Sequence, residues 1–474
     1  MHRLKQGWVL AVLVVLLTVA AYAIWFAPGL PPTKGPGPDF TRTVRPHLNH
    51  SAFFTEPFES PEQVTAACLE CHPDAASEVM KTSHWNWLGD EVEIPGREGK
   101  MRIGKKNLFN NFCLGIRGNW ASCTSCHAGY GWKDASFDFD DKHKVDCLVC
   151  HDGTGGYVKG QAGMPKPGVD LLAVAKGVGW PTRRNCGVCH SFGGGGLGVK
   201  HGDMDDTLDN PKEEDDVHMG RAGLTCIDCH KTERHRIRGR SMSLGVDAIN
   251  SVGCTDCHTK APHVDERLNT HLRSVSCETC HIPNYARRVA TKMWWDWSKA
   301  GNDNREEDPH HYMKIKGEFS YDQDVVPTYL WWNKTNERYL LGDKIDPDKE
   351  TALNAPGGDI MDPEAKIYPF KLHKGRHPYD LEHKTFLQPV TSGEGGYWRE
   401  FDWDKALRLG SEFVGIQYSG KYGFADSVMY WPLSHMVVEK RRALNCNDCH
   451  GAGGRMDWKA LGYSEDPILS GGRP

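Results

Sequence analysis

The chain has 474 residues, a length for about two or three ordinary domains, yet only 39% of them are apolar. A net charge of −5 with histidine neutral offers no basic surface of the kind nucleic acid requires. There are 17 cysteines and 24 histidines, and their arrangement sets the class.

The N-terminal "MHRLKQG" is basic and is followed by 19 uncharged residues, Trp8 to Phe26. Such a run is about long enough to cross a bilayer as a helix. Ala21-Tyr22-Ala23 could serve as a signal-peptidase site. Ile24-Trp25-Phe26 carry the apolar run past it, which favours a membrane anchor over residues 1–27, with a cleaved signal peptide as the other reading. Arg3 and Lys5 hold the N-terminus in the cytoplasm, so both readings put the remainder on the periplasmic side. A Pro/Gly-rich linker and arm follows over 28–60.

The spacing C-x-x-C-H then occurs eight times. The first four copies are Cys68-Cys71-His72, Cys123-Cys126-His127, Cys147-Cys150-His151 and Cys186-Cys189-His190. The others are Cys226-Cys229-His230, Cys254-Cys257-His258, Cys277-Cys280-His281 and Cys446-Cys449-His450. This is the attachment signature of c-type haem: two thioethers fix the porphyrin and the adjacent histidine ligates iron. Zinc knuckles and disulfide frameworks fit less well, because neither needs a histidine directly after every pair. The expectation is eight covalently bound haem c groups, with about 59 residues for each. That is too little chain to wrap each haem in its own domain. The porphyrins must supply much of the core, so the expected fold is mainly α with extensive loops and little sheet, a multihaem cytochrome c fold organised around eight closely packed haems.

Seven motifs fall in a core over 61–281. A haem-free stretch over 282–445 is rich in aromatics ("KMWWDWSK", "PTYLWWN", "KIYPFKLH") and is expected to pack on that core. Within it, "DWDKALRLGSEFVG" has the spacing of a short amphipathic helix with Gly410 near a bend. The eighth motif and a C-terminal tail occupy 446–474. The motifs follow no fixed period, which argues against a solenoid.

A haem used only for electron transfer takes a second strong ligand opposite the motif histidine. His235 and His263 each lie five residues after a motif histidine, too close to swing round their own porphyrin, so each is expected to ligate a neighbouring haem. His143, His218, His271 and His435 lie just ahead of a first cysteine, and the same logic applies. His50 and His84 complete the candidates, with His201 and His373 in reserve and Met436 a weaker option. A catalytic haem needs a labile distal position. A lysine amine, which must lose its proton to bind, can provide one. Lys159 in "CHDGTGGYVKG" and Lys200 in "GGGGLGVKHGD" both sit in glycine-rich loops after motifs, and spacing does not separate them.

At this level the chain resembles the octahaem tetrathionate reductases. The resemblance covers most of the sequence beyond about His50 and is carried by "NNFCLGIRGNWASCTSCHAGYGW", "VDCLVCHDGTGGY", "GVKHGD", "DVHMG", "KIYPFKLH" and "LNCNDCHGAGGRMDW". It implies that the haem on Cys123, Cys126 and His127 is the active site and that Lys200 is its distal ligand. It also implies that Asn110 and Cys113 line that pocket. Three residues before the lysine the family pattern has an acidic residue, whereas this chain has Leu197.

The implied function is a reductase drawing electrons from a quinol-linked or soluble cytochrome partner to reduce a small inorganic substrate: tetrathionate, nitrite or hydroxylamine. The alternative is a membrane-tethered electron conduit without catalysis. Oxidation of hydroxylamine or hydrazine would need a crosslinking tyrosine. Tyr130 and Tyr157 lie near motifs, but nothing singles either out. The sequence does not speak to oligomeric state.

Overall fold

The computed structural model describes residues 46–473 other than 114 and 248. The expected anchor over 1–27 and most of the arm lie outside the described residues. Among those described, no helix is long and apolar enough to cross a membrane.

In the motif-bearing part the elements are short, as the haem count demands. Helix α1 (Pro61–Cys71) starts at Ser60, whose side chain accepts from the Gln63 N–H, and carries the first motif at its end. Helix α2 (Arg183–His190) is closed by a reciprocal Thr182–Asn185 capping box and carries the fourth. Several other motifs are single turns, such as Cys226–Cys229, Cys277–His281 and Cys446–Cys449. The spacing itself causes this. One helical turn brings residues i, i+3 and i+4 to one face, which is where two thioethers and an axial ligand must meet a porphyrin.

The sheet content is low, as expected, and most of it is gathered after the seventh motif, where residues 291–432 build a seven-stranded mixed sheet. Its strands are β1 (Thr291–Asp296), β2 (Tyr312–Met313), β3 (Gly317–Asp322), β4 (Thr328–Trp332), β5 (Thr351–Ala352), β6 (Lys366–Asp380) and β7 (Tyr422–Pro432). The order is β2-β3-β1-β6-β7-β5, with β4 pairing the first part of β6. The 15-residue β6 is the spine. It runs antiparallel to β7 from Phe370↔Pro432 to Asp380↔Tyr422, and parallel to β1 through Lys374↔Trp294, Gly375↔Trp295 and Arg376↔Asp296. It is buried on both faces, so it lacks the apolar–polar alternation that marks a half-buried strand. The polar Lys371, His373 and His377 are buried within it and break the apolar run as well.

The tryptophans of this stretch pack around the sheet. Phe109, Tyr339, Phe386, Met429 and Trp431 form one cluster, and Trp295, Trp297, Leu387, Tyr397 and Leu407 another. The second receives helix α3 (Trp403–Val414), N-capped by Asp402 and ended by Gly415 at φ +78°. Gly410 lies inside that helix rather than at a bend. It is glycine because a Cβ there would stand 1.8 Å from the Gln388 carbonyl oxygen.

Candidate haem-binding sites

Seven of the eight motif histidines face a second histidine that lies outside the motifs. The ring-centroid separations are His72–His50 6.4 Å, His190–His84 6.2 Å, His151–His235 6.5 Å and His258–His218 6.0 Å. The others are His230–His435 6.2 Å, His281–His263 6.3 Å and His450–His271 6.3 Å. Two imidazoles on opposite sides of one metal, each bonded at about 2.0 Å, place their centroids about 6 Å apart. In most pairs the partner comes from beside a different motif, so each of these sites ties separate segments together.

The hydrogen bonds fit the same group. In His50, His151, His230 and His271 the Nδ1 position is bonded to a backbone carbonyl, of Leu48, Gly179, Arg238 and Arg267 respectively. In three others the partner is a carboxylate: Glu78 at 2.8 Å from His235, Asp203 at 3.2 Å from His435 and Asp466 at 2.6 Å from His450. Metal-bound histidines are held in this way, with one nitrogen fixed and Nε2 left for the metal.

The thiols give the motifs a spatial order that sequence spacing does not. Cys68 of the first motif neighbours Cys147 of the third, and Cys150 of the third lies near Cys186 of the fourth. Cys186 meets Cys226 of the fifth, Cys229 lies near Cys257 of the sixth, Cys254 meets Cys277 of the seventh, and Cys280 lies near Cys449 of the eighth. The second motif stands apart from this line. It joins at the fourth, through Cys126 and Cys189.

That second motif also differs in its histidine. His127 has no histidine opposite it among the described residues. Its ring contacts are Trp85, Trp132, Phe137 and Phe139. Its Nε2 lies 2.9 Å from the Trp85 carbonyl and its Nδ1 is buried without a partner, the reverse of the Nδ1-held rings above. Burial pushes this imidazole down to about 4, so it is neutral near pH 7.

Of the two candidate lysines, Lys159 is already engaged. Its amine bonds the Asp146 carboxylate at 2.7 Å and the carbonyls of His127 and Gly129 at 2.6 and 3.1 Å. Lys200 has no carboxylate partner in the described structure. Its Nζ lies 5.7 Å over Phe112 and 5.3 Å over Trp431, within electrostatic range of Cys126. Desolvation pushes its amine down to about 8. The residue as a whole is only half-buried, so solvent screens some of that effect. Phe112 belongs to the same loop as Asn110 and Cys113, and Cys113 lies near Cys123. Asn110 Oδ1 accepts from the Cys113 N–H at 2.9 Å, which fixes the loop and leaves the amide Nδ2 as a donor. Lys200, Asn110, Cys113 and the second motif therefore converge.

The remaining candidates lie elsewhere. Among the described residues His143 meets no motif histidine. It is half exposed on a 3-10 turn beside Asp141 at 3.4 Å, so it is a surface residue. His201 packs edge-on to Trp431, His373 bonds Asn111 Oδ1 at 3.1 Å, and buried Met436 is in the left-handed backbone region at φ +61°. The hydroxyls of Tyr130 and Tyr157 both donate to Asp146, at 3.0 and 2.9 Å, so neither stands open for a crosslink. Sequence reasoning missed Asp203, Lys371 and Thr291. The first lies inside "GVKHGD" and the second inside "KIYPFKLH", but acids and lysines have no spacing rule of the kind that flags C-x-x-C-H.

Residues 292–453 match the family described as bacterial cytochrome c, and residues 211–292 match cytochrome c7 and related cytochrome c. An uncharacterised protein of Archaeoglobus fulgidus is 26% identical over 247 residues, spanning 41% of this chain and 82% of that protein. The crystal structure of octaheme cytochrome c from Shewanella oneidensis superposes with a TM-score of 0.85 at 48% identity, covering 90% of this chain and 99% of that one. With that identity along almost the whole of both chains, the protein belongs to the octahaem cytochromes c and binds haem c covalently.

Proposed function

We propose that this chain is a periplasmic-side octahaem reductase of small inorganic sulfur or nitrogen compounds, with its reaction site at the second motif. One observation carries the reading: among the described residues seven motif histidines face a histidine and His127 faces none, beside the meeting point of Lys200, Asn110 and Cys113. The seven paired histidines, His50, His84, His218, His235, His263, His271 and His435, are the proposed distal ligands, and Lys200 is the eighth.

Bound haem c supplies one-electron storage and, where the distal ligand can leave, a coordination position for substrate. Lys200 ligates only as the neutral amine, and its burial lowers the cost of losing the proton. Once displaced and protonated, it adds a positive charge to the pocket. Exposed Lys105, in electrostatic range of Lys200, adds another. Leu197 removes the carboxylate that the family resemblance would place there, which biases the pocket toward anions such as tetrathionate or nitrite. Asn110 Nδ2 is the donor for a bound oxygen or nitrogen atom. With tetrathionate, attack of the Cys113 thiolate on the central sulfur–sulfur bond would form a mixed disulfide and release one thiosulfate. Two electrons would then free the second thiosulfate and restore the thiolate.

The test pairs spectroscopy with turnover. In the haem-loaded protein, Lys200→Ala is expected to convert one iron of the eight to a high-spin form that binds azide, with the others unchanged. Cys113→Ala is expected to lose about 10²-fold in tetrathionate turnover, the scale for a group acting only in the reacting complex, while nitrite turnover changes little. A second reading, a non-catalytic conduit between a quinol-linked and another redox partner, is favoured by Leu197, which leaves the pocket without its expected acid. It gains if wild type turns over none of tetrathionate, nitrite or hydroxylamine.

A further inference from the structure

We propose that Lys371 and Thr291 are positioning residues that together seat the loop bearing Lys200. The inference rests on the reading of Lys200 as the ligand at the second motif and adds what holds it there. Lys371, on β6, is fully buried, and Thr291, the first residue of β1, is 1% exposed. The two strands pair in parallel from Lys374↔Trp294 onward, and Lys371 and Thr291 meet just before that ladder begins. Their Nζ and Oγ1 atoms are 2.5 Å apart.

Between them the two side chains end on four consecutive residues, 198–201, two each. Lys371 Nζ also donates to the Val199 carbonyl at 3.3 Å and the Lys200 carbonyl at 3.2 Å. Thr291 Oγ1 lies 2.8 Å from the Gly198 carbonyl and 3.1 Å from that of His201. Lys371 Nζ thus has three oxygen partners, and burial pushes its amine well below the ordinary lysine range. The carbonyls of 198–201 lie in turns outside any helix or strand, and buried carbonyls without a partner are costly. Two side chains from the sheet therefore do for this loop what a strand ladder would otherwise do.

The backbone fits the seat closely. Gly198 has φ +68°, and a Cβ there would stand 2.3 Å from the Ala290 carbonyl oxygen. The same face of β6 carries His373, which accepts the Asn111 amide on its carbonyl at 2.7 Å. One strand face thus anchors the lysine loop and the Asn110–Cys113 loop. With its backbone pinned, Lys200 can leave and rejoin by side-chain rotation alone.

The experiment uses the full haem-loaded chain, reading amine–iron ligation by electron paramagnetic resonance and near-infrared magnetic circular dichroism. Lys371→Met and Thr291→Val are each expected to reduce the amine-ligated fraction on the order of tenfold, the lower end for supporting groups around a metal ligand. The seven histidine-paired signatures should stay in place, and Thr291→Ser should restore the wild-type spectrum. A loss confined to one iron and rescued by serine is not what general destabilisation produces. A wild-type spectrum in Lys371→Met with eight haems attached would overturn the proposal. If Lys371→Met yields no loaded protein, the threonine pair decides, and valine behaving like serine overturns it. Lys200→Ala is the control: if it leaves the amine signature intact, the ligand reading fails instead.

Discussion

Replacing Asp146 by Ala is expected to destabilise the motif-bearing half by about 3–5 kcal/mol, the scale for breaking a buried ion pair on one side. The Asp146 side chain is wholly buried and receives four donors: Lys159 Nζ, the hydroxyls of Tyr130 and Tyr157, and the Val149 N–H at 3.0 Å. Burial and this carboxylate hold both tyrosines well above their ordinary range, so they stay protonated and keep donating. Removing the carboxylate strands a buried ammonium and two buried hydroxyls at once. Lys159 also clips the carbonyls of His127 and Gly129, so the disturbance reaches the second motif directly. Denaturant unfolding followed by circular dichroism measures the loss. The double variant Asp146→Asn with Lys159→Met removes both charges and should recover much of it, because a neutral replacement leaves no unpaired ion. A single-variant loss below about 1 kcal/mol, the range of an exposed pair, would sink this account.

How far the sequence could be read follows from which interactions are local. The C-x-x-C-H spacing is a one-turn device, so all eight motifs are legible from five residues each. The distal histidines are nearly as legible, because a histidine too close to one motif to reach round its own porphyrin must serve another. That argument picks out His235 and His263, which the structure sets opposite His151 and His281. It also admits His143, because nothing local distinguishes a histidine facing a porphyrin from one beside Asp141 on the surface. Sequence spacing leaves Lys159 and Lys200 tied. The tie breaks on Asp146, which lies 13 residues from Lys159 and shares no pattern with it. The sheet was harder still. β6 pairs with β1 about 80 residues away in parallel register, and such a pairing leaves no turn signature. Its buried Lys371 and His377 carry no local sign of burial, and His373 enters only as a reserve ligand, until the loops they serve are in place.

Asp203→Asn is expected to raise the reduction potential of the haem on Cys226 and Cys229, by a shift on the order of tenfold in its redox equilibrium, or about 59 mV for one electron. Asp203 is 2% exposed and accepts from the Ser434 N–H at 2.7 Å, the His435 N–H at 3.0 Å and His435 Nδ1 at 3.2 Å. These donors outweigh desolvation and hold its carboxyl well below the ordinary carboxylate range, so it is ionised near neutral pH. A full negative charge on the carboxylate that accepts from Nδ1 makes the ring a stronger electron donor, which favours ferric over ferrous iron and lowers the potential. An amide keeps the shape and removes the charge, so the shift must be upward. The same logic applied to Glu78→Gln at His235 gives a smaller rise, because that pair is 25% and 35% exposed and water screens it. Spectroelectrochemical titration of the two variants checks both sign and order. A downward shift, or Glu78→Gln exceeding Asp203→Asn, would mean that the carboxylates orient these rings without tuning the iron. Asp203 lies three residues after Lys200, so the loop seated by Lys371 and Thr291 would carry the ligand at one iron and the charge that sets another.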